Sequence, residues 1–205
     1  MKILTLNGSP RGAASNTFQL TQAFLEGLRQ ELESPLIVKT RMINELNLSP
    51  CQGCFRCWTA TPGTCVIPDA MAEVLEEMRS ADLILWSFPL YYFGMPGPVK
   101  TLLDRCLPLN LPWMERDADG RPVHPRRDQN ARMKSILIST CGFTTVENNY
   151  EALIRQFDLA FGDSLKILCP QGELFAHPEL RRQTSVYLAQ VTQAGQEYAR
   201  TKTLS

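Results

Sequence analysis

Residues 5–17, Thr-Leu-Asn-Gly-Ser-Pro-Arg-Gly-Ala-Ala-Ser-Asn-Thr, close an apolar run that begins at Ile3 and open a helical one. A β-type segment, a loop of small and hydroxyl-bearing residues and then a helix make the first unit of an alternating α/β chain. Such a loop also suits a phosphate. Gly8 and Gly12 let backbone N–H groups turn inward, and the following helix supplies the positive end of its dipole. Ser9, Ser15 and Thr17 add hydroxyls, Asn16 an amide and Arg11 a full positive charge. The Gly-Lys-Ser/Thr ending of a nucleoside triphosphate loop and the G-x-G-x-x-G of a dinucleotide site are both missing, which makes a phosphate monoester the better fit. Ordinary turn chemistry at Asn7 to Pro10 and an ordinary N-cap at Ser15 or Asn16 read the same letters without a ligand.

Outward from this loop, strand and helix patterns alternate. Lys2 to Leu6 reads as a strand, Thr17 to Glu31 as an amphipathic helix and Leu36 to Ile43 as a second strand. Asp69 caps a helix reaching about Ser80, with Met71, Val74, Leu75 and Met78 at helical spacing. Ala81 to Ser87 is a strand apolar enough to be buried on both faces. A helix from Pro98 to Cys106, a strand from Ser135 to Thr140, a helix from Asn149 to Phe161, a strand from Leu165 to Cys169 and a helix from Glu179 to Ala199 complete the chain. Five strands separated by helices predict a doubly wound parallel sheet, three layers α/β/α, with right-handed crossovers. Ligands of such sheets sit outside the carboxyl ends of the strands, so residues 7–17, 88–97 and 140–145 are expected to meet. Phe88-Pro-Leu-Tyr-Tyr-Phe-Gly94 brings aromatic faces to that point, and Thr140-Cys-Gly-Phe143 brings small residues and free backbone N–H groups. A flat aromatic ligand with a phosphate tail matches both. Core packing at a strand end is the other reading of Tyr91 and Tyr92.

With 205 residues, 44% of them hydrophobic, and no Gly/Ser-rich or charged linker, the chain reads as one domain over 1–205. A cysteine loop at 48–67 and a long proline-rich loop at 107–133 are its departures from the pattern. Twenty-one basic and 21 acidic residues cancel, which gives no electrostatic case for nucleic acid or an anionic membrane. Residues 83–99 are uncharged but broken by proline and glycine, so they do not read as a membrane span. No export signal opens the sequence, and seven cysteines without one point to a reducing, cytoplasmic setting.

Three motifs in order, Asn7-Gly-Ser-Pro-Arg11 with Ser15-Asn-Thr17, then Phe88-Pro-Leu-Tyr-Tyr92, then Pro98-Val-Lys-Thr-Leu-Leu-Asp-Arg105, resemble the NAD(P)H-dependent FMN reductase branch of the flavodoxin-like superfamily. The resemblance covers residues 1 to about 106 and implies an oxidoreductase whose chemistry is carried by FMN, without a catalytic side chain. It places the FMN phosphate at Ser9, Arg11, Ser15, Asn16 and Thr17. The ring is placed against Pro89, Leu90, Tyr91, Tyr92, Phe93 and Gly94, with Thr140, Cys141, Gly142 and Phe143 as the third wall. It further implies NAD(P)H as co-substrate, a quinone, nitroaromatic, flavin or metal ion as small-molecule acceptor, and a homodimer or dimer of dimers. Asp104 and Arg105 are expected to pair with each other at a helix end.

Cys51-Gln-Gly-Cys54-Phe-Arg-Cys57 sets three thiols at x2 spacing, and Cys65 follows after seven residues. Such a triple favours iron and sulfur over zinc, so Cys51, Cys54, Cys57 and Cys65 are candidate ligands of a 4Fe-4S cluster. The spacing resembles that of the iron-sulfur flavoproteins, which implies single-electron exchange with a ferredoxin-like partner. A thiol-lined substrate loop and a flavin-binding redox-sensing module are the alternatives; a disulfide is disfavoured in a reducing compartment. Cys106, Cys141 and Cys169 read as packing residues, with Cys141 also able to face a flavin. In the 107–133 loop, Asp119-Gly120 suggests a hairpin tip. Trp113, Met114, Arg116, Arg121, Arg126 and Arg127 suit either a lid that receives the pyridine nucleotide or a solvated charged loop. His124 and His177 read as surface residues.

Overall fold

Alternation of apolar letters explains the layers. In the computed structural model, which describes residues 1–128, 134–162 and 164–204, the strands in chain order are β1 (Lys2–Asn7), β2 (Ile37–Met42), β3 (Leu83–Pro89), β4 (Glu115–Arg116), β5 (Pro122–Val123), β6 (Lys134–Thr140) and β7 (Leu165–Cys169). The helices are α1 (Asn16–Glu31), α2 (Met71–Ser80), α3 (Gly97–Asp104), α4 (Glu151–Phe161) and α5 (Arg181–Thr201). Five strands form one all-parallel sheet in the order β2-β1-β3-β6-β7, and β4 and β5 form a separate small hairpin. Successive side chains point to opposite faces. Leu4, Leu6, Ile84, Trp86 and Leu137 therefore pack under α2, α3 and α4, while Ile3, Leu83, Leu85, Ile136 and Ile138 pack under α1 and α5. The doubly wound expectation holds, with helices on both faces.

Strand register decides where the loops open. β1 sets Asn7 beside Ser87, and β3 sets Pro89 beside Thr140, so the three strands end at one level. The chain runs from β1 outward to β2 and then back past β1 to β3, leaving a crevice at the β1/β3 carboxyl ends.

Two sequence-based expectations need correction here. The first helical residue after Asp69 is Met71, and Ala70 takes the N-cap position. The Asp69 carboxylate still accepts from the Met71 N–H at 3.1 Å, and it also holds Arg105. Asp104 and Arg105 do not pair with each other: Lys100 Nζ lies 2.5 Å from Asp104, one turn earlier on α3, while Arg105 points inward to Asp69. Neighbours in a helix diverge by about 100°, so adjacent opposite charges reach different partners.

α1 and α5 cross at glycines. A Cβ on Gly27 would sit 1.9 Å from the Thr192 carbonyl oxygen, and one on Gly195 would sit 2.2 Å from the Phe24 carbonyl oxygen. Backbone cannot yield as a flexible side chain does. Gly195→Ala is expected to force the helices apart and cost about 1–3 kcal/mol; a urea midpoint within error of the wild type would contradict the crossing.

Candidate functional site

The first loop is built by Asn7 and Ser15. Asn7 is buried at the end of β1, donates to the Gly12 carbonyl at 2.9 Å and accepts from the Ser9 N–H at 3.0 Å, which curls residues 8–12 back over the strand. Gly12 has φ +55°, a conformation glycine adopts without a Cβ penalty. Ser15 caps α1, its hydroxyl accepting from the Phe18 N–H at 3.2 Å. The N–H groups of Asn16 and Thr17 have no acceptor among the described residues. Two backbone donors therefore stand open at the positive end of a 16-residue helix. Ser9, Ser15, Asn16 and Thr17 are buried around them, and Arg11 is exposed at the rim.

The second loop is strained. Tyr91 and Gly94 exchange backbone hydrogen bonds of 3.0 and 3.1 Å, and the two residues between them, Tyr92 and Phe93, have φ of +50° and +64°. Both central residues left-handed is the geometry in which hairpin turns normally use Asn-Gly. For bulky aromatic residues the conformation costs about 1–2 kcal/mol each, and strain of this kind collects at functional sites. The turn lifts Tyr92 to 99% exposure, with Tyr91 and Phe93 also exposed, while Leu90 turns down into the core. Core packing is thereby excluded for Tyr91 and Tyr92.

The third loop closes the ring of elements. Leu90 N–H donates to the Thr140 carbonyl at 2.8 Å, and the Thr17 and Thr140 hydroxyls lie 2.6 Å apart. Phe93 and Phe143 stack with centroids 5.6 Å apart and planes 17° from parallel. Residues 7–17, 88–97 and 140–145 meet as the topology predicts. Cys141 is buried beneath them beside Tyr150, whose hydroxyl burial pushes well above the usual tyrosine range. The sequence reading missed a fourth contributor, the loop after β7. Asn16 donates to the Gly172 carbonyl at 2.7 Å, Gln171 N–H donates to the Phe143 carbonyl at 2.9 Å, and the Glu173 carboxylate lies over Gly142. The signal was present: the carboxyl-end rule applies to this strand as well.

The cysteine loop runs to the other end of α3. Trp58 Nε1 donates to the Leu107 and Asn110 carbonyls, just past that helix, and the ring stacks on Phe55 with centroids 5.4 Å apart. Eight residues of helix, about 12 Å, separate this anchor from the aromatic turn at its N-terminus. Gly53 and Phe55 have φ of +62° and +52°, and the chain folded through them leaves Cys51 and Cys54 exposed while Cys57 is buried and Cys65 half-buried. Among the described residues no three of His, Cys, Asp and Glu are placed to hold one metal ion. Burial pushes the Cys57 thiol up, and Cys65, Cys54 and Cys51 push it in the same direction.

Asp119-Gly120 lies in the connection between β4 and β5, as expected. Arg121 is paired with Asp117 at 2.9 Å and Asp119 at 2.8 Å, and Arg116 donates to the Gly120 carbonyl, so these two arginines hold their own hairpin. Arg127 donates to the Pro108 carbonyl at 3.2 Å, while Trp113 and Met114 are exposed. His124 is not a free surface residue: its Nδ1 lies 3.0 Å from the Leu111 and Trp113 carbonyls, and its ring packs on Trp58. His177 is exposed beside Glu179. Residues 129–133 of the proposed lid lie outside the described residues. A cavity of about 660 Å³ lies under this hairpin, lined among others by Met78, Leu107, Arg121, His124 and Phe161. It opens at the amino-terminal ends of the strands, away from the aromatic turn. No helix among the described residues is long and apolar enough to cross a membrane.

Comparison with known proteins bears on the same segment. The profile of the NADPH-dependent FMN reductase family matches residues 1–142. An iron-sulfur flavoprotein of Methanocaldococcus jannaschii is 28% identical over 137 residues, which is 67% of this chain and 68% of that one. Another, from Methanosarcina thermophila, is 35% identical over 107 residues, 52% of this chain and 53% of its own, so the match spans about half of that relative's length. An FMN-dependent NADH-azoreductase of Bacillus anthracis, solved in complex with FMN, has a TM-score of 0.66 over 97% of this chain and 99% of its own at 16% identity, a likeness of fold.

Proposed function

Because the chain belongs to the NADPH-dependent FMN reductase family, we propose that it is an NAD(P)H oxidoreductase that holds FMN across the β1, β3, β6 and β7 loops. The observation that carries this reading is the pair of open N–H groups at Asn16 and Thr17, ringed by buried Ser9, Ser15 and the Thr17 hydroxyl and rimmed by Arg11. A phosphate monoester fits that donor set, since every group in it donates or can donate. Pro89 to Gly94 and Thr140 to Phe143 would take the ring.

When bound, FMN supplies hydride acceptance from a nicotinamide and electron delivery to a second substrate. The chain's own work is positioning and exclusion of water. Phe93 and Phe143, stacked at the rim, offer a flat apolar wall, and exposed Tyr91 and Tyr92 extend it. Such a surface suits a planar acceptor of the quinone or nitroaromatic class, with a free flavin or a metal ion as the other candidates. A second copy of the chain laid over Tyr91, Tyr92 and Phe93 would dry the site, which supports a homodimer, alone or paired into a dimer of dimers. Single-electron transfer through a 4Fe-4S cluster draws its support from cysteine spacing and from the relatives' names.

Protein purified without oxygen is expected to show flavin absorption that bleaches on adding NADPH or NADH, with negligible iron and acid-labile sulfide. Failure to take up flavin even after FMN is supplied would overturn the assignment. Stoichiometric iron and sulfide would replace it by the cluster reading.

A further inference from the structure

Thr140 ends β6 with its side chain turned toward α1. Side chains alternate along a strand, and Ile138, two residues earlier, packs under α1 and α5. The Thr140 hydroxyl lies 2.6 Å from the Thr17 hydroxyl, and both residues are buried. Neither hydroxyl has another hydrogen-bond partner among the described residues. On its other side Thr140 meets the loop after β7. A Cβ on Gly172 would sit 2.5 Å from the Thr140 Cβ and 3.2 Å from its hydroxyl oxygen, so only glycine leaves Thr140 where it is. Gly172 is held there at both ends of its peptide: its N–H donates to the Cys141 carbonyl at 2.8 Å, and its carbonyl accepts from the Asn16 side chain at 2.7 Å. Gly172 lies beyond residue 142, where the family profile ends.

Two hydroxyls at that distance carry two protons and share one hydrogen bond, so one proton is left over. If Thr17 donates, the spare proton belongs to Thr140 and is shut in beside Gly172 with no acceptor among the described residues. A buried donor left unmade is costly. If Thr140 donates, the spare proton belongs to Thr17, the residue that also bears one of the two open N–H groups at the start of α1. An anion at those groups would take it. Resting on the FMN reading above, we propose that Thr140 is a positioning residue for the FMN phosphate: its hydroxyl donates to Thr17 and so commits the Thr17 proton to the phosphate, while Gly172 keeps Thr140 in place. The Thr140 backbone stays with the ring wall, and its hydroxyl serves the other end of the ligand. A hydroxyl that accepts one hydrogen bond donates a stronger one, because the first polarises its O–H. The effect therefore falls on how well the site tells FMN from riboflavin, which lacks the phosphate.

The test is binding, read as quenching of flavin fluorescence by the flavin-free full chain, with FMN and riboflavin titrated separately. Thr140→Val removes the hydroxyl at nearly constant shape and is expected to weaken FMN by about 5–20-fold and riboflavin by less than about 2-fold. Retained riboflavin binding reports that the variant is folded. Thr140→Ser keeps the hydroxyl and is expected to hold FMN within about 3-fold of the wild type. Thr17→Val is expected to weaken FMN at least as much as Thr140→Val, and the double variant no further, because the inner hydroxyl acts only through the outer one. Gly172→Ala, by crowding Thr140, is expected to lower the preference for FMN over riboflavin in the same direction. Equal losses of FMN and riboflavin in Thr140→Val would assign its hydroxyl to the ring, and additive losses in the double variant would make the two hydroxyls independent. Either result overturns the proposal and leaves the FMN reading standing. A wild-type chain that takes up neither flavin overturns both.

Discussion

Asp69→Ala is expected to destabilise the protein by about 3–5 kcal/mol, the range for removing one partner of a buried ion pair. The reason lies in what Asp69 leaves behind. Arg105 is fully buried on its side chain, and its two terminal nitrogens donate to Asp69 at 2.9 Å each and to the Ser49 carbonyl at 2.7 Å. Without the carboxylate, a permanent positive charge stays buried with one carbonyl to face it. Asp69 also accepts from the Ser49 N–H at 3.0 Å and the Met71 N–H at 3.1 Å, so the start of the cysteine loop and the entry to α2 loosen together. Burial alone would raise the Asp69 carboxyl, but hydrogen bonds from Arg105 and the two backbone N–H groups outweigh it and hold the carboxyl below the usual aspartate range. A depressed folded-state pKa contributes stability above the unfolded value, near 3.9, and that stability is lost as pH falls through the folded value. Urea unfolding at pH 7 and below pH 4 checks both points: the gap between wild type and Asp69→Ala is expected to be largest at pH 7 and to narrow in acid. A loss under about 1 kcal/mol at pH 7 would mean that the pair behaves as an exposed one.

Which parts of this were legible in the sequence follows the range of the forces involved. β3 is a run of apolar letters with no competing reading, and β7 was bounded to the residue. Chain-local signals such as period, caps and turns fix elements of that kind, and the crossover rule then fixes the topology and the crevice. The shape of the first loop was legible for the same reason, as strand, loop and N-cap lie within 17 residues of one another. Partners chosen across the fold were not. Arg105 has Asp104 beside it in sequence and takes Asp69, 36 residues away, because its side chain turns inward at the end of α3 while Asp104 stays at the surface. Tyr92 and Phe93 adopt a conformation that their own preferences oppose, which no propensity argument would assign to them. His124, flanked by prolines, looks free until Trp58 packs against it from a loop 66 residues earlier in the chain. Cysteine spacing shows that four thiols can reach one point, but backbone bends at Gly53 and Phe55 decide whether they do.

Ser15→Asp is expected to weaken FMN binding by about 10²–10³-fold while leaving the flavin-free protein as stable as the wild type. The two effects separate because the same side chain performs two tasks. As the N-cap of α1, Ser15 accepts from the Phe18 N–H at 3.2 Å, and aspartate caps as well as serine does. A negative charge at that end also gains from the helix dipole, which offsets the cost of placing a carboxylate at a buried position. On the proposed assignment, FMN brings its phosphate to the same place. Two unit charges about 4 Å apart repel by about 4 kcal/mol at the effective dielectric of a protein surface, which is close to three decades in affinity before screening reduces it. Ser15→Ala reverses the pattern: it costs about 1 kcal/mol of stability through the lost cap, and removes one hydroxyl donor without adding repulsion. Flavin fluorescence titration paired with thermal melts of the flavin-free variants distinguishes the cases. If Ser15→Asp bound FMN as tightly as Ser15→Ala, the phosphate would have to lie elsewhere, and the open N–H groups of Asn16 and Thr17 would be an ordinary frayed helix end.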